Sequence, residues 1–163
     1  MAEPLAPPAP ATQPRREFLC KFGALASSAA LVPLASCEVS ELHTPKPAAG
    51  LSMNFDVAAT EFKALATVGG KAKVALGGQD ILLVRASQAE VFAMINACAH
   101  QACPLDQVGS WSEKDGALTC GCHQAKFAKD GKIVSQPING DKITKPPQTF
   151  KVTFDGNKGT VTT

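Results

Sequence analysis

The sequence predicts an all-β fold, an antiparallel β-sandwich or small barrel, from three observations. Short segments in which apolar and polar residues alternate recur from residue 53 onward, as expected of half-buried strands. Turn signals such as Gly77-Gly78, Asp130-Gly131 and Asp155-Gly156 separate these segments. The 13 glycines and 12 prolines indicate a loop-rich chain. Short strands at regular spacing with glycine turns are typical of antiparallel sandwiches and small barrels.

The predicted strands follow one another through this region. They are placed at residues 53–57, 71–76, 81–85, 90–96, 125–127, 132–134, 149–154 and 159–163. Residues 61–68 are expected to form a short helical or irregular turn, and residues 77–80 a tight turn. Residues 111–116 are expected to form a hairpin, because Asp115-Gly116 is a favoured two-residue turn.

The composition fits one globular domain with appendages. The chain has 163 residues, of which 45% are hydrophobic and 18% are charged, and these are ordinary values for a globular protein. The formal net charge is only +2, so the sequence lacks the basic footprint of a nucleic-acid-binding protein. No nucleic-acid partner is therefore expected.

The first 36 residues have the layout of an export signal. Arg15 and Arg16 precede Phe18-Leu19 and an apolar run at residues 22–36, and charge followed by an apolar stretch is typical of signal sequences. The Arg-Arg-x-Phe-Leu pattern resembles the twin-arginine signal, which routes folded proteins across the bacterial inner membrane. As a helix the apolar run would span roughly 22 Å, which is short of the ~30 Å of a bilayer core.

The apolar run ends at Leu34-Ala35-Ser36-Cys37, which resembles a lipoprotein cleavage box. We expect cleavage before Cys37 and acylation of Cys37, and the acyl chains would hold the mature protein on a membrane surface. Residues 37–53 would then form the linker between this tether and the folded domain at residues 54–163. The alternative is an uncleaved N-terminal segment that serves as the membrane anchor.

Two short motifs contain four of the six cysteines and two of the three histidines. They read Cys98-Ala99-His100-Gln101-Ala102-Cys103 and Cys120-Gly121-Cys122-His123. A single cysteine or histidine is often only a core residue, but matched motifs with two thiolates and two imidazoles suit a zinc ion or a [2Fe–2S] cluster. Structural zinc leaves the additional cysteine of each motif unexplained. A c-type haem needs Cys-x-x-Cys-His, and the second motif is one residue short of it.

Both motifs resemble those of the Rieske iron–sulfur proteins, in particular the disulfide-bearing, respiratory-type branch. The resemblance implies one [2Fe–2S] cluster per chain. Cys98 and Cys120 would ligate the buried iron, whereas His100 and His123 would ligate the outer iron, with their ring edges exposed to exchange electrons.

The same resemblance implies further features of the fold and the site. Cys103 and Cys122 would form a disulfide that ties the two cluster loops together. The family architecture would cover about residues 54–163, with both loops on a small cluster-binding subdomain at one end. In the family a proline-containing loop after the second motif covers one side of the cluster. Residues 137–140 are the candidate for it here, and the alternative is that they form an ordinary turn.

The chain departs from the quinol-oxidising members that it resembles. Those members have a serine and a tyrosine whose hydroxyls donate hydrogen bonds to sulfur, whereas this chain has Ala125 and Phe127, which have no side-chain donor. Gln101 replaces an apolar residue at the cluster tip. Fewer donors lower the reduction potential, so we expect a potential below that of quinol oxidation subunits but above that of plant-type ferredoxins. The small subunit of arsenite oxidase resembles the chain in its signal, its motifs and the missing serine–tyrosine pair.

The resemblance implies one-electron transfer by an exported, membrane-tethered subunit or carrier of a bacterial respiratory oxidoreductase, quinol–cytochrome c reductase-like or another oxidase. The expected partner is a quinol-oxidising complex, a cytochrome or a molybdenum oxidase. The expected location is the bacterial cell envelope, on the periplasmic or outer side of the inner membrane.

Two other classes of function remain as alternatives. Only His43 lies outside the motifs, which leaves too few histidines for the second iron of a Rieske oxygenase, so no substrate-converting site is expected in this chain alone. A ferredoxin that serves an oxygenase is less favoured, because such ferredoxins lack the two additional cysteines. From a different class, the chain could be a zinc-stapled cell-surface binding module without a redox role.

Overall fold

The computed structural model describes residues 49–163. The export signal at residues 1–36, the acylation of Cys37 and most of the linker at residues 37–53 lie outside these described residues and stay predictions. Within residues 49–163, no helix is long and apolar enough to cross a membrane.

The described residues form ten β-strands and two short helices. The strands are β1 (Ser52–Asp56), β2 (Lys71–Leu76), β3 (Gln79–Ser87), β4 (Glu90–Ile95), β5 (Gly109–Ser112), β6 (Ala117–Cys120), β7 (Lys126–Ala128), β8 (Ile133–Ser135), β9 (Thr149–Phe154) and β10 (Lys158–Thr162). A 3-10 helix covers Thr60–Ala66, and the helix α1 covers Leu105–Val108. All pairings between the strands are antiparallel, so the predicted all-β antiparallel fold is confirmed.

The strands form two sheets. The larger sheet has the order β1-β10-β9-β4-β3-β2, and the smaller sheet has the order β5-β6-β7-β8. The first cysteine–histidine motif follows β4 and precedes α1, and the second begins at the end of β6. The first motif therefore lies on the connection from the larger sheet to the smaller one, and the second lies on the smaller sheet, where the resemblance places the cluster-binding subdomain.

Two turns differ in detail from their predictions. Leu76 pairs with Gln79, so Gly77 and Gly78 alone connect β2 to β3, and β3 begins earlier than expected. Their φ angles of 61° and 78° are positive, as a two-residue type I′ turn requires. The predicted hairpin at residues 111–116 is confirmed, but its turn is longer than two residues, because Ser112 pairs with Ala117.

Strands β3 and β4 separate two apolar clusters. In β3, Leu82 and Val84 belong to one cluster, whereas Ile81 and Leu83 belong to the other, because successive side chains of a strand point to opposite faces. All four are 0% exposed. A strand that is covered on both faces is apolar at every position, which explains why this stretch of the sequence does not alternate.

The cluster that contains Leu82 also contains residues of both cysteine–histidine motifs. Its members include Cys98, Leu105, Cys120 and Phe127. Fully burying one such large apolar side chain contributes about 1.5–3 kcal/mol. The packing that stabilises β3 therefore also fixes the start of each motif.

Polar contacts attach α1 to the larger sheet. Lys71 of β2 donates from Nζ to the backbone carbonyls of Leu105, at 3.2 Å, and Gly109. Burial lowers the pKa of Lys71, and the Asp106 carboxylate partly opposes this. Asn96 and Asp106 exchange two hydrogen bonds of 2.7 Å, one to the Asp106 carboxylate and one from its backbone N–H. These contacts fix both ends of the chain segment that carries the first motif.

Candidate metal centre

The first motif lies on a closed turn, here called the first loop (residues 98–103). The carbonyl of Cys98 accepts a hydrogen bond from the N–H of Ala102 at 2.8 Å, and the N–H of Cys98 donates to the carbonyl of Cys103 at 2.9 Å. Ala102 has a φ of 53°. The backbone thus turns back on itself within six residues, with His100 in the middle.

The second motif lies on a turn of the same shape, here called the second loop (residues 120–125). The carbonyl of Cys120 accepts from the N–H of Gln124, and the N–H of Cys120 donates to the carbonyl of Ala125, both at 2.9 Å. Gln124 has a φ of 59°. Positive φ is uncommon in residues other than glycine, and backbone held in this way is often found at functional sites.

A disulfide joins the two loops. It links Cys103 of the first loop to Cys122 of the second, across a sequence separation of 19 residues. The predicted disulfide is therefore present. The sulfur of Cys120 lies within 4.8 Å of both disulfide sulfurs, but a disulfide has no thiolate left for a metal. The bond therefore acts as a clamp beside the remaining thiols.

The other two cysteines of the motifs are free thiols. Cys98 and Cys120 are 4% and 1% exposed. Burial is the main cause that raises the pKa of the Cys98 thiol to about 11; a hydrogen bond with the backbone of His100 opposes the rise, and the neighbouring Cys120 thiol adds to it. A thiol in such surroundings becomes a thiolate when a cation is bound to it.

The two imidazoles of the motifs face each other edge to face. The ring centroids of His100 and His123 are 4.8 Å apart, with an interplanar angle of 85°. The Nδ1 atom of His123 is buried, and no group within residues 49–163 forms a hydrogen bond with it. An unpaired buried nitrogen costs about 1–3 kcal/mol, and coordination to a metal would remove this cost.

The segment after β8, here called the closing segment (residues 137–141), contacts both loops. The N–H of Ile138 donates to the carbonyl of His123 at 3.0 Å. Asp141 Oδ2 lies 2.9 Å from His100 Nε2, and it accepts a hydrogen bond of 2.8 Å from Asn139 Nδ2. The bond with His100 and then the Asn139 amide hold the pKa of Asp141 below its usual value.

The exposure expected for both histidine ring edges is wrong for His100. Its side chain is 5% exposed, because the Asp141 carboxylate occupies its Nε2. This leaves Nδ1 as the ring nitrogen of His100 that is available to a metal. Sequence reasoning missed Asp141, since Asn139-Gly140-Asp141 reads only as a turn.

The surroundings of the second loop are apolar. Ala125 and Phe127 are both 0% exposed and belong to the cluster that contains Cys98 and Cys120. Neither side chain has a hydrogen-bond donor. Gly121 allows α1 to approach, because a Cβ at Gly121 would lie 2.7 Å from the Val108 carbonyl oxygen.

The site therefore presents two free buried thiols, two adjacent imidazoles and one orphaned buried nitrogen. This donor set fits a [2Fe–2S] cluster ligated by two cysteines and two histidines. Residues 56–149 match the family model of the Rieske [2Fe-2S] domain. The chain belongs to the Rieske family. A Rieske domain binds a [2Fe–2S] cluster, and this cluster is the cofactor of the chain.

Three solved structures show the range of similarity to this chain. The ferredoxin of carbazole 1,9a-dioxygenase from Nocardioides aromaticivorans IC177 is 22% identical with a TM-score of 0.53, over 68% of this chain and 97% of that chain. The reduced complex between oxygenase and ferredoxin in carbazole 1,9a-dioxygenase matches at 13% identity and a TM-score of 0.50, over 68% and 27%. The cyanobacterial plasma membrane Rieske protein PetC3 from Synechocystis PCC 6803 matches at 21% and 0.46, over 68% and 99%. No curated protein matches the sequence.

Proposed function

We propose that this Rieske protein transfers single electrons through a cluster ligated by Cys98, Cys120, His100 and His123. One observation carries the ligand assignment: the disulfide uses Cys103 and Cys122, so the free thiols that the loops bring together are the remaining pair. The orphaned Nδ1 of His123 supports the same assignment.

The side chains of the site have separate roles in this proposal. When bound, the [2Fe–2S] cluster accepts and releases one electron. Cys98 and Cys120 hold it in an apolar environment that excludes water. His100 and His123 are neutral ligands in place of thiolates, which raises the reduction potential above that of an all-cysteine site.

We also propose that the reduction potential lies below that of quinol-oxidising Rieske subunits. Hydrogen bonds to cluster and cysteine sulfurs raise the potential. Ala125 and Phe127 are fully buried at the positions where such donors are expected, and neither can donate. This supports a potential between those of the quinol-oxidising proteins and the plant-type ferredoxins.

The biological setting that we propose is electron transfer in the bacterial cell envelope. The chain would be exported through its Arg15-Arg16 signal and tethered by an acyl group on Cys37, as a subunit or carrier of a respiratory oxidoreductase. The disulfide supports an oxidising compartment, since disulfides persist mainly outside the cytosol. Its redox partner would be a quinol-oxidising complex, a cytochrome or a molybdenum oxidase. The complex of an oxygenase with its ferredoxin supports the general point that a protein with this fold passes electrons to a protein partner.

The test is a redox titration of the purified full chain, monitored by electron paramagnetic resonance, with iron and zinc measured on the same sample. We expect a Rieske-type signal, iron without zinc, and a midpoint potential below that of quinol-oxidising subunits. Zinc in place of iron would overturn the proposed function. A potential as high as that of the quinol-oxidising proteins would overturn the argument from the missing hydroxyl donors but leave electron transfer intact.

A further inference from the structure

The hydrogen bond between Asp141 and His100 places a carboxylate against a proposed cluster ligand. The Oδ2 to Nε2 distance is 2.9 Å, within the range of charge-assisted hydrogen bonds. The Asp141 side chain is 57% exposed, whereas that of His100 is 5% exposed. The carboxylate thus lies at the surface and shields the imidazole from water.

The structure holds this carboxylate in place from two sides. Asn139 Nδ2 donates to the same Oδ2 atom at 2.8 Å, and the N–H of Asp141 donates back to Asn139 Oδ1 at 3.3 Å. The N–H of Ile138 anchors the start of this segment to the His123 carbonyl. The carboxylate is therefore fixed relative to both loops.

The charge of Asp141 is not neutralised by a basic side chain. Among residues 49–163 the basic side chain within ion-pair distance of Asp141 is His100, and an imidazole that ligates a metal is neutral. Acidic groups elsewhere in residues 49–163 do pair with lysines, as in Lys129–Glu90 and Lys132–Asp130. A nearby negative charge opposes the arrival of an electron. The Asp141 carboxylate therefore disfavours reduction of a cluster bound at this site.

We propose that Asp141 positions the His100 imidazole and lowers the reduction potential of the cluster that His100 ligates. The inference rests on the proposed function, because it requires His100 to be a ligand. The hydrogen bond engages Nε2 and so would leave Nδ1 as the atom that ligates the cluster, as outer carboxylates orient metal-bound histidines. The electron that reduces the cluster comes from the redox partner. Asp141 changes only the reduction potential of the cluster.

The experiment compares the midpoint potential of cluster-loaded wild-type full chain with that of Asp141→Asn at one pH near neutrality. Asparagine removes the charge but its oxygen can still accept from His100. We expect an upward shift of the potential, with the Rieske-type signal retained. Asp141→Glu restores the charge and is expected to return the potential toward the wild-type value. An unchanged or lowered potential in Asp141→Asn would overturn the proposal.

The matched control is Asp155→Asn, in the turn between β9 and β10. Asp155 is also an exposed aspartate that accepts backbone hydrogen bonds, from Asn157 and Lys158, and its removal changes the net charge equally. We expect no shift of the midpoint potential in this variant. A shift equal to that of Asp141→Asn would show that the effect comes from net charge alone, and it would overturn the proposal.

A second variant keeps the test valid if Asp141→Asn does not load the cluster. Asn139→Ala removes the amide that donates to Asp141 Oδ2 and that also lies 3.4 Å from His100 Nε2, and we expect a smaller upward shift. No shift there would overturn the proposal. A wild-type chain without a Rieske-type signal would overturn the ligand assignment as well, whereas a normal signal with potentials insensitive to residues 139 and 141 would overturn this inference alone.

Discussion

The first and second loops close with the same two backbone hydrogen bonds, but their histidines have different surroundings. In the first loop, His100 is the third residue and its Nε2 is bonded to Asp141. In the second loop, His123 is the fourth residue, and its Nδ1 is buried without a hydrogen-bond partner among residues 49–163. One backbone shape therefore supports two imidazoles in different surroundings, one bonded to a carboxylate and one with an unpaired buried nitrogen.

The disulfide cysteines and the proposed histidine ligands are placed differently in the two loops. The third residue is a histidine in the first loop but Cys122 in the second, and the sixth residue is Cys103 in the first loop but Ala125 in the second. Each loop thus gives one cysteine to the disulfide from a different position. Because the disulfide cysteine is the sixth residue of the first loop and the third residue of the second, the histidine and the disulfide cysteine occupy different positions in the two loops.

The largest effect is expected where the loops are equivalent, at their first residue. Cys98→Ser and Cys120→Ser each remove one proposed thiolate ligand, so both variants should lose the cluster and its paramagnetic signal. Iron content and the visible spectrum of the purified variants measure this loss. Full iron content in either variant would contradict the assignment of that cysteine.

The next largest effect is expected on removal of the disulfide, and it tests whether Cys103 and Cys122 are needed for stability alone or also for iron binding. The double variant Cys103→Ser, Cys122→Ser removes the disulfide, whose loop of about 20 residues predicts a loss of about 3 kcal/mol of unfolding free energy. Freshly isolated protein should still contain iron, because the ligands are intact. Urea unfolding followed by circular dichroism measures the stability. A variant that never binds iron would show that the disulfide cysteines are needed for more than clamping.

A smaller effect is expected at the second residue, where the loops differ. In the second loop, Gly121 donates its N–H to the Val108 carbonyl at 2.9 Å, and a Cβ would meet that carbonyl oxygen at 2.7 Å. Gly121→Ala should therefore cost about 1–3 kcal/mol, because backbone must move. Ala99→Gly at the same position of the first loop should cost about 1 kcal/mol or less. Equal costs in urea unfolding would contradict the difference between the loops.

The smallest effect is expected at the fifth residue, where the loops are again alike. Ala102 and Gln124 have positive φ angles of 53° and 59°, a conformation that costs other residues more than glycine. Replacement by glycine removes this strain but adds freedom to the unfolded chain, so Ala102→Gly and Gln124→Gly should each change stability by about 1 kcal/mol or less. A large loss in only one variant would show that the shared backbone shape is not what supports that loop.

Sequence reasoning predicted the antiparallel strands because their patterns are local. Alternation and glycine turns are visible within a few residues, as at Gly77-Gly78. It did not predict α1, since four residues are too few to show a helical period. It also placed the start of β3 too late, because Gln79 belongs to the strand once the turn is reduced to two glycines.

At the site, the donors could be predicted and their surroundings could not. Cysteines and histidines are rare enough that their spacing alone indicates a metal site, and the resemblance of the motifs implied the disulfide that the structure contains. The contact between Asp141 and His100 spans 41 residues. Aspartate is common in turns, so nothing in the local sequence marks this one as the partner of a histidine.

The measurement that tests the central claim most directly is pulsed electron paramagnetic resonance of the reduced full chain labelled with ¹⁵N-histidine. If His100 and His123 both ligate the cluster, two strongly coupled imidazole nitrogens should be observed, and His123→Cys should leave one. A spectrum without coupled histidine nitrogen, or one unchanged in that variant, would contradict ligation of the cluster by one histidine from each loop.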